Sequence, residues 1–255
     1  MADRFKLSVR ELSKAFVTKK NDTLVIDDIS MDVRENEFLV ILGPGQCGKT
    51  VLLNMIAGLL KPTLGEIYLD GDKMDGLDKR VLMVFQKLAL LPWLTVSKNV
   101  QIGLKYAKVP KEQREKTAQH YIDLVGLQGF ENAYPHQLSG GMKQRVGIAR
   151  AYASAPEILL MDEPFGQLDA QTRYAMEDEI LKIWNQDKRT ILFVTNNIEE
   201  AVYLADRIVL LSKRPAKVKN VFDLTGLARP RNNLSEDFLK IRQEIADQMD
   251  LDLGQ

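Results

Sequence analysis

Eight consecutive residues have the types and spacing that bind phosphate, and they are Gly43, Pro44, Gly45, Gln46, Cys47, Gly48, Lys49 and Thr50. Glycines let backbone N–H groups converge on phosphate oxygens, and a following helix adds its unpaired N-terminal donors. In such a loop Lys49 reaches the β- and γ-phosphates, and the Thr50 hydroxyl binds a magnesium ion. Apolar runs on both sides predict a strand before the loop and a buried helix after it. That setting disfavours the alternative, a plain strand-to-helix turn.

Two carboxylates follow a second apolar run, Ile158 to Met161, which predicts a buried strand. Asp162 at its end can bind magnesium, and Glu163 beside it can orient or deprotonate an attacking water. Gln86 similarly ends the predicted strand from Arg80 to Phe85. Ligands of α/β proteins bind at the carboxyl edge of the sheet, so this amide could reach one. Taken alone, Gln86 is weak evidence for a ligand site, because a polar residue can also simply end a strand.

A second potential anion site lies at Ser139, Gly140 and Gly141. Ser139 can cap a helix predicted to run to about Ala153, and the glycines allow an anion to approach its N-terminus closely. The alternative is an ordinary capped helix after a loop.

Two further residues have two interpretations each. Phe16, upstream of the phosphate loop, could stack on an adenine base or could simply pack on a strand face. Cys47 could be a reactive thiol whose pKa is lowered by the loop's donors and Lys49, or a small inert filler.

The totals limit the class of protein. The chain has 255 residues with 35 basic and 35 acidic side chains, so no basic surface indicates general nucleic-acid binding. Its single cysteine excludes an internal disulfide. We expect no signal peptide, because no apolar segment follows the charged N-terminus, and no apolar run is long enough to span a bilayer.

The remaining pattern alternates strands and helices around a central region of different character. Residues 111–125 have the charge spacing of an amphipathic helix, which predicts an inserted helical lobe. Bulky apolar residues surround Pro92 and Trp93 before that helix and predict a contact surface. Ser235 can cap a last amphipathic helix.

Together the phosphate loop, Gln86, the Leu138-Ser139-Gly140-Gly141 stretch and the Asp162-Glu163 pair resemble the ATP-binding subunit of an ABC transporter. The residues 91–96 and 212–217 resemble the nitrate, sulfonate and taurine importer group. The resemblance implies an α/β fold: a P-loop NTPase with a RecA-like core, an antiparallel β subdomain and an inserted helical subdomain. It implies one domain over 1–255. The core with the β subdomain would be 1–87 and 156–230, the helical subdomain 88–155 and the C-terminal helix 231–255.

The resemblance also implies roles for individual residues. The adenine of ATP would be bound by Phe16. The phosphates of ATP would be bound by residues Gly43 to Thr50 and by Val51. Magnesium would be held by Thr50, Gln86 and Asp162. Glu163 would be the general base, with Lys49 and Asn196 also at the reacting phosphate. Ser139, Gly140 and Gly141 would act on the nucleotide of a partner subunit, and Asp169 would contact that partner.

Some positions depart from the family's pattern. Gln46 and Val51 replace a glycine and a Ser or Thr, and Gln167 replaces an alanine. Asn196 stands where the family usually has histidine, which puts the chemistry of that position in doubt. Asn197 replaces an aspartate but can still cap a helix.

The function expected from the resemblance is ATP hydrolysis that powers transport of a small solute, an imported anion such as nitrate, sulfonate or taurine. The subunit would work as a homodimer or paired ATPase at the cytoplasmic face of the membrane. Its partners would be separate permease subunits and an extracytoplasmic solute-binding protein, with no nucleic acid. Two alternatives stay open: a soluble ABC-type ATPase acting on nucleic acid or ribosomes, and a regulatory subunit that hydrolyses ATP poorly.

Overall fold

The computed structural model describes residues 5–17, 22–86 and 89–253. Within these ranges the strands are β1 (Phe5–Val17), β2 (Asp22–Arg34), β3 (Phe38–Leu42), β4 (Leu64–Leu69), β5 (Asp72–Lys73), β6 (Val81–Val84), β7 (Ile158–Asp162), β8 (Thr190–Thr195), β9 (Arg207–Leu211) and β10 (Val218–Asp223). The α-helices are α1 (Lys49–Ile56), α2 (Val96–Tyr106), α3 (Lys111–Leu124), α4 (Gly140–Ala153), α5 (Ala170–Gln186), α6 (Ile198–Leu204) and α7 (Glu236–Leu253). None of these helices is long and apolar enough to cross a membrane.

The chain forms two compact units, and each is described by itself. The first comprises Met1–Val81 and Arg189–Gln255, and the second comprises Leu82–Lys188. The helical insertion predicted from the sequence lies in the second unit, together with β7 and α5. The predicted subdomain limits remain predictions, and the limit between 87 and 88 lies outside the described residues.

The first unit contains two kinds of sheet. Strands β2, β1, β4 and β5 form an antiparallel sheet in that order. In the other sheet β3 lies between β8 and β9 and runs parallel to both. Every residue of β3 and β8 is buried, as expected for parallel strands covered on both faces. This combination of an antiparallel and a parallel sheet confirms the predicted α/β class.

The second unit has a bundle of three mutually packed helices, α2, α3 and α4. Strand β6 lies next to β7, and all five residues of β7 are buried. The caps predicted at Ser139, Asn197 and Ser235 are confirmed, and Asp169 is a further cap that the structure shows. Ser139, Asp169, Asn197 and Ser235 each accept a hydrogen bond from a backbone N–H in the first turn of the following helix.

Candidate ATP-binding and hydrolysis site

The phosphate loop connects β3 to α1 in the first unit. The Lys49 side chain is only 4% exposed and lies back along this loop. Its Nζ donates hydrogen bonds to the carbonyl oxygens of Gly43 and Pro44, both at 2.9 Å. The ammonium group is therefore already held at the centre of the loop, where an arriving phosphate would meet it.

Two residues of the loop have a left-handed backbone. Gly48 has φ 126°, and a Cβ there would lie 2.9 Å from Ile26 Cδ1 and 3.0 Å from Val25 Cγ1. Only glycine fits both the conformation and the space. Gln46 has φ 62°, a conformation that costs free energy for a residue with a Cβ. The departure from glycine at Gln46 is thus tolerated at a position whose backbone favours glycine.

Cys47 points into the interior and is 2% exposed. A Cβ on Gly43 would lie 3.1 Å from its Sγ, so the thiol also fills the space beside that glycine. Burial favours the interpretation of Cys47 as a small filler, because a reactive thiol needs access to its reagent. Its backbone remains part of the loop.

Thr50 and Phe16 lie at the surface of the first unit. The Thr50 residue is exposed. Phe16 is 38% exposed, with the Nζ of Lys14 lying 5.2 Å from its ring centroid. An exposed aromatic ring beside a cation can bind an adenine base. The base would stack on the ring and interact with the nearby ammonium group.

Asn196 emerges from the same sheet edge as the phosphate loop. Thr195, the residue before it, pairs with Leu42, the residue before Gly43, on adjacent parallel strands. The Asn197 N–H donates to Thr195 Oγ1 at 3.0 Å, which fixes the backbone around Asn196. The Asn196 side chain is exposed and makes no hydrogen bond to any described residue. Its amide is therefore free to bind a ligand at this edge.

The second unit brings Gln86, Asp162 and Glu163 together. Asp162 ends β7 and is 7% exposed, and Glu163 follows with φ 43°. Gly166 lies close to both Gln86 and Glu163. A Cβ added to Gly166 would lie 3.7 Å from Gln86 Nε2 and 3.7 Å from Glu163 Cβ. Glu163 is a non-glycine residue in the left-handed conformation beside a buried carboxylate. Backbone strain of this kind clusters at active sites.

The second unit also joins the signature residues to Asp169. Ser139 Oγ accepts a hydrogen bond from Met142 N at 3.3 Å and so begins α4. A Cβ on Gly141 would lie 3.0 Å from Thr172 Cγ2. Thr172 donates to Asp169 through its N–H at 2.9 Å and its hydroxyl at 2.7 Å, and these bonds lower the pKa of Asp169. Sequence reasoning missed Thr172, because nothing in its local pattern indicates that it touches the signature.

The proposed metal ligands have the right chemistry for magnesium. Thr50, Gln86 and Asp162 offer a hydroxyl, an amide oxygen and a carboxylate, all hard oxygen donors of the kind Mg²⁺ prefers. In the part of the chain that the structure describes, no group of three or more His, Cys, Asp or Glu side chains could hold a metal ion. Each of these residues would supply one ligand to a magnesium ion, with phosphates and water supplying others, as is usual for nucleotide sites.

Comparison with known families decides the identity of this arrangement. The family model described as ABC transporter matches residues 26–166, which include the phosphate loop, Gln86, the signature and the Asp162-Glu163 pair. This chain belongs to the ABC transporter ATP-binding family. It is accordingly an ABC ATPase, and its fold is the ABC cassette.

Similar proteins cover nearly the whole chain. An uncharacterized ABC transporter ATP-binding protein of Methanocaldococcus jannaschii is 50% identical over 242 residues, 95% of this chain and 90% of the relative. An aliphatic sulfonates import ATP-binding protein of Bacillus cereus is 40% identical over 96% of both chains. A taurine import ATP-binding protein of Roseobacter denitrificans is 42% identical over 86% of this chain and 82% of its own length.

Two solved structures of one ABC cassette are also similar. A dimeric structure of this bacterial ABC transporter cassette matches with TM-score 0.75 and 33% identity, covering 86% of this chain and 98% of that one. A dimeric post-hydrolysis state bound to ADP and Pi matches with TM-score 0.75 and 32% identity, with the same coverage of both chains.

Proposed function

We propose that this ABC ATPase powers the import of a small anionic solute such as a sulfonate, taurine or nitrate. The observation that carries the proposal is the 40% identity to an aliphatic sulfonates import subunit over 96% of both chains. The 42% identity to a taurine import subunit supports the same class of substrate. Aliphatic sulfonates are small anions and taurine is a zwitterion with a sulfonate group, so sulfonates are the first solutes to test.

For hydrolysis, we assign each role to a residue of the candidate site. Lys49 and the loop backbone bind the β- and γ-phosphates, and Phe16 stacks on the adenine. Glu163 accepts the proton of the attacking water, since a carboxylate at the end of β7 can act as a general base. Magnesium held by Thr50, Gln86 and Asp162 would neutralise phosphate charge when bound.

For assembly, we infer a head-to-tail dimer in which each nucleotide lies between two chains. The chain has two anion-binding helix starts, after Gly48 and after Ser139, but one phosphate loop. Two copies can use both if Ser139 and Gly141 of one chain face the phosphates bound by Lys49 of the other. The dimeric cassettes similar to this chain support that arrangement.

For coupling, we assign the permease contact to a groove in the second unit. A cavity of about 330 Å³ is lined mainly by small and apolar groups, with Phe85, Ala89, Ile102, Gly147 and Arg150 among them. Phe85 is 48% exposed, and Trp93, eight residues later in the same unit, is 70% exposed. Exposed bulky apolar groups around a groove are typical of protein docking sites. In the assembled transporter, the ATPase would bind peripherally on the cytoplasmic side of separate permease subunits, with a solute-binding protein outside.

The experiment is uptake into proteoliposomes containing this chain, the permease and the solute-binding protein encoded with it. We expect ATP-dependent uptake of labelled taurine, an alkanesulfonate or nitrate, and loss of uptake with Glu163→Gln. ATP hydrolysis without uptake of any of these anions would overturn the substrate class while leaving the ATPase assignment intact.

A second function is favoured by one observation, the asparagine at position 196. A subunit without the family's usual histidine could bind ATP and regulate a partner while hydrolysing it slowly. ATP turnover of the subunit, measured alone and assembled with its permease, distinguishes the two, because a transport motor must hydrolyse ATP with permease present whereas a regulatory subunit would stay slow in both.

A further inference from the structure

The short helix α6 begins directly after the Asn196 loop. Asn197 is its N-cap, and its Oδ1 accepts hydrogen bonds from Glu199 N at 2.9 Å and Glu200 N at 3.3 Å. The helix has only seven residues, whereas isolated helices need about 12–15 to be stable. The orientation of α6, and with it the position of the Asn196 loop, must come from tertiary contacts.

The C-terminal end of α6 is held by Arg231. This side chain is 7% exposed and donates to the carbonyl oxygens of Val202 at 2.7 Å, Tyr203 at 3.3 Å and Ala205 at 2.7 Å. It also donates to Leu224 O at 3.0 Å. The last carbonyls of a helix have no partner within the helix and carry partial negative charge, so a buried guanidinium satisfies both needs.

Arg231 stays charged at neutral pH in this position. Burial lowers its pKa to about 10, which still leaves it protonated. Arg229 adds a hydrogen bond to Leu204 O and an ion pair with Asp206 at 2.9 Å. Two arginines close together in the chain thus hold four successive carbonyls at the end of α6: Arg231 Nη1 donates to three of them, and Arg229 donates to the fourth, Leu204 O.

The N-terminal end of α6 is held by α7. Arg242 Nε donates to Glu199 Oε1 at 3.0 Å, and Glu199 lies three residues after Asn196. Helix α7 packs against α6 and buries Phe238 and Ile245. The segment 229–249 therefore contacts α6 at both ends and along its length.

We infer that this C-terminal segment sets the position of Asn196 for ATP hydrolysis, with Arg231 and Arg242 as positioning residues. The inference rests on the proposed role of Asn196 at the reacting phosphate. Neither arginine touches nucleotide in this account; each acts by fixing α6, whose first turn fixes the loop. ATP binding should be spared, because Lys49 is held by the carbonyl oxygens of Gly43 and Pro44 within its own loop.

The first test is Arg242→Ala, with Gln243→Ala as the matched control. Gln243 is its exposed neighbour, and its one hydrogen bond among the described residues is to Asp247 within α7. We expect kcat for ATP to fall about two- to fivefold, as suits a partly exposed ion pair, with KM unchanged. Arg242→Lys should restore part of kcat, and Gln243→Ala should equal the parent chain.

A second readout does not depend on activity. Hydrogen–deuterium exchange of the nucleotide-free chain should speed up at amides 197–200 in Arg242→Ala and in Arg231→Lys. In Arg231→Lys, the lysine keeps the positive charge but cannot donate to several carbonyls at once. We therefore expect kcat to fall about tenfold, more than in Arg242→Ala. Unchanged exchange at 197–200 with normal kcat in both variants would overturn the inference.

The decisive test combines Arg242→Ala with Asn196→Ala. If Arg242 acts through Asn196, its substitution should have no further effect on kcat once Asn196 is gone. Equal fold losses in both backgrounds would assign Arg242 a merely structural role and overturn the inference. If Asn196→Ala alone hydrolyses ATP normally, the role of Asn196 fails as well, while activity of the parent chain still establishes the ATPase.

Discussion

At the scale of single residues, Glu163 is the side chain on which hydrolysis depends in our account. It follows β7 in a left-handed conformation, φ 43°, beside the buried Asp162. This strain is maintained by the surrounding fold, and it turns Glu163 away from the path that an ordinary strand would take.

Glu163→Gln should keep ATP binding and reduce hydrolysis about 10²- to 10⁴-fold, because an amide cannot accept the proton of the attacking water. The measurement is phosphate release under single-turnover conditions, with binding followed by a fluorescent ATP analogue. Glu157→Gln is the matched control, since it removes an exposed carboxylate just before the opposite end of β7. Phosphate release at the parent rate by Glu163→Gln would refute the assignment.

Asn196→His tests whether asparagine limits turnover. Histidine at this position can donate to the phosphate as asparagine does, and as imidazolium it adds positive charge. We expect turnover in the assembled transporter to rise by less than the 10²- to 10³-fold typical of a whole oxyanion donor, because asparagine already supplies one hydrogen bond. The gain should be largest near pH 6 and decline toward pH 8, since imidazolium is populated below a pKa of about 6.5.

The control for this substitution is Asn185→His, which places the same titratable group at an exposed position on α5. Turnover should be measured from about pH 6 to pH 8, where histidine titrates. Equal or lower turnover of Asn196→His at every pH would mean that the site is built around asparagine.

Residue types with a fixed chemical requirement could be predicted from the sequence, and residues defined by their surroundings could not. The loop glycines and the helix caps follow from local rules of backbone geometry. Cys47 stayed ambiguous because the same thiol is reactive in water and inert when buried. Thr172 was missed because its contact with Gly141 joins two helices that are distant in sequence.

At the scale of elements, the loop before α2 presents Trp93 to solvent in a defined conformation. Asn99, which is fully buried, accepts from Leu91 N at 2.9 Å and donates to the carbonyls of Leu91 and Leu94 at 3.1 and 3.0 Å. Thr95 caps the helix that carries Asn99. A loop organised by one buried amide, with a tryptophan 70% exposed on it, is suited to contact a partner.

Trp93→Ala should therefore leave ATP hydrolysis by the isolated chain unchanged and weaken assembly with the permease about tenfold or more, as expected for an aromatic anchor. The measurement is copurification with the permease, together with transport-coupled ATPase activity. Tyr106→Ala is the control, because Tyr106 is 82% exposed on the same helical bundle and lies outside the proposed contact. Normal assembly and normal transport by Trp93→Ala would exclude this loop from the interface.

Helices and strands were predictable where pattern and caps coincide. The sequence predicts a strand over 190–195 and a helix over 111–125, and the structure has β8 at Thr190–Thr195 and α3 at Lys111–Leu124. The residues that hold α6 in place were not predictable from the sequence. Arg231 donates to terminal carbonyls, and any helix of that length leaves such carbonyls without a partner inside the helix. Which loop supplies the donors is a property of the tertiary fold.

At the scale of the whole molecule, the groups that we propose bind phosphate lie in two separate units. Lys49 lies in the first unit and Ser139 in the second. A chain that completes its own site would need both units on one nucleotide. A chain that works as a head-to-tail dimer would instead pair its Lys49 with the partner subunit's signature. The two arrangements predict different ATP turnover for a mixture of two inactive variants.

Lys49→Ala and Ser139→Glu should each be inactive as a pure dimer, the first for lack of the phosphate cation and the second because a carboxylate would face the γ-phosphate. In a mixed dimer, however, both defects fall in one site, and the other site pairs an intact Lys49 with an intact Ser139. An equal mixture should then regain about a quarter of the parent sites, since half of randomly paired dimers are mixed and each holds one intact site. The measurement is ATP turnover of the mixture after dissociation and reassociation of the subunits. As control, a chain carrying both substitutions is mixed equally with the parent: in a head-to-tail dimer only the parent dimers keep intact sites, about a quarter of the total, whereas chains that complete their own sites would keep about half. Activity no greater than that of the two separate variants would show that each chain completes its own site, and the head-to-tail arrangement would be wrong.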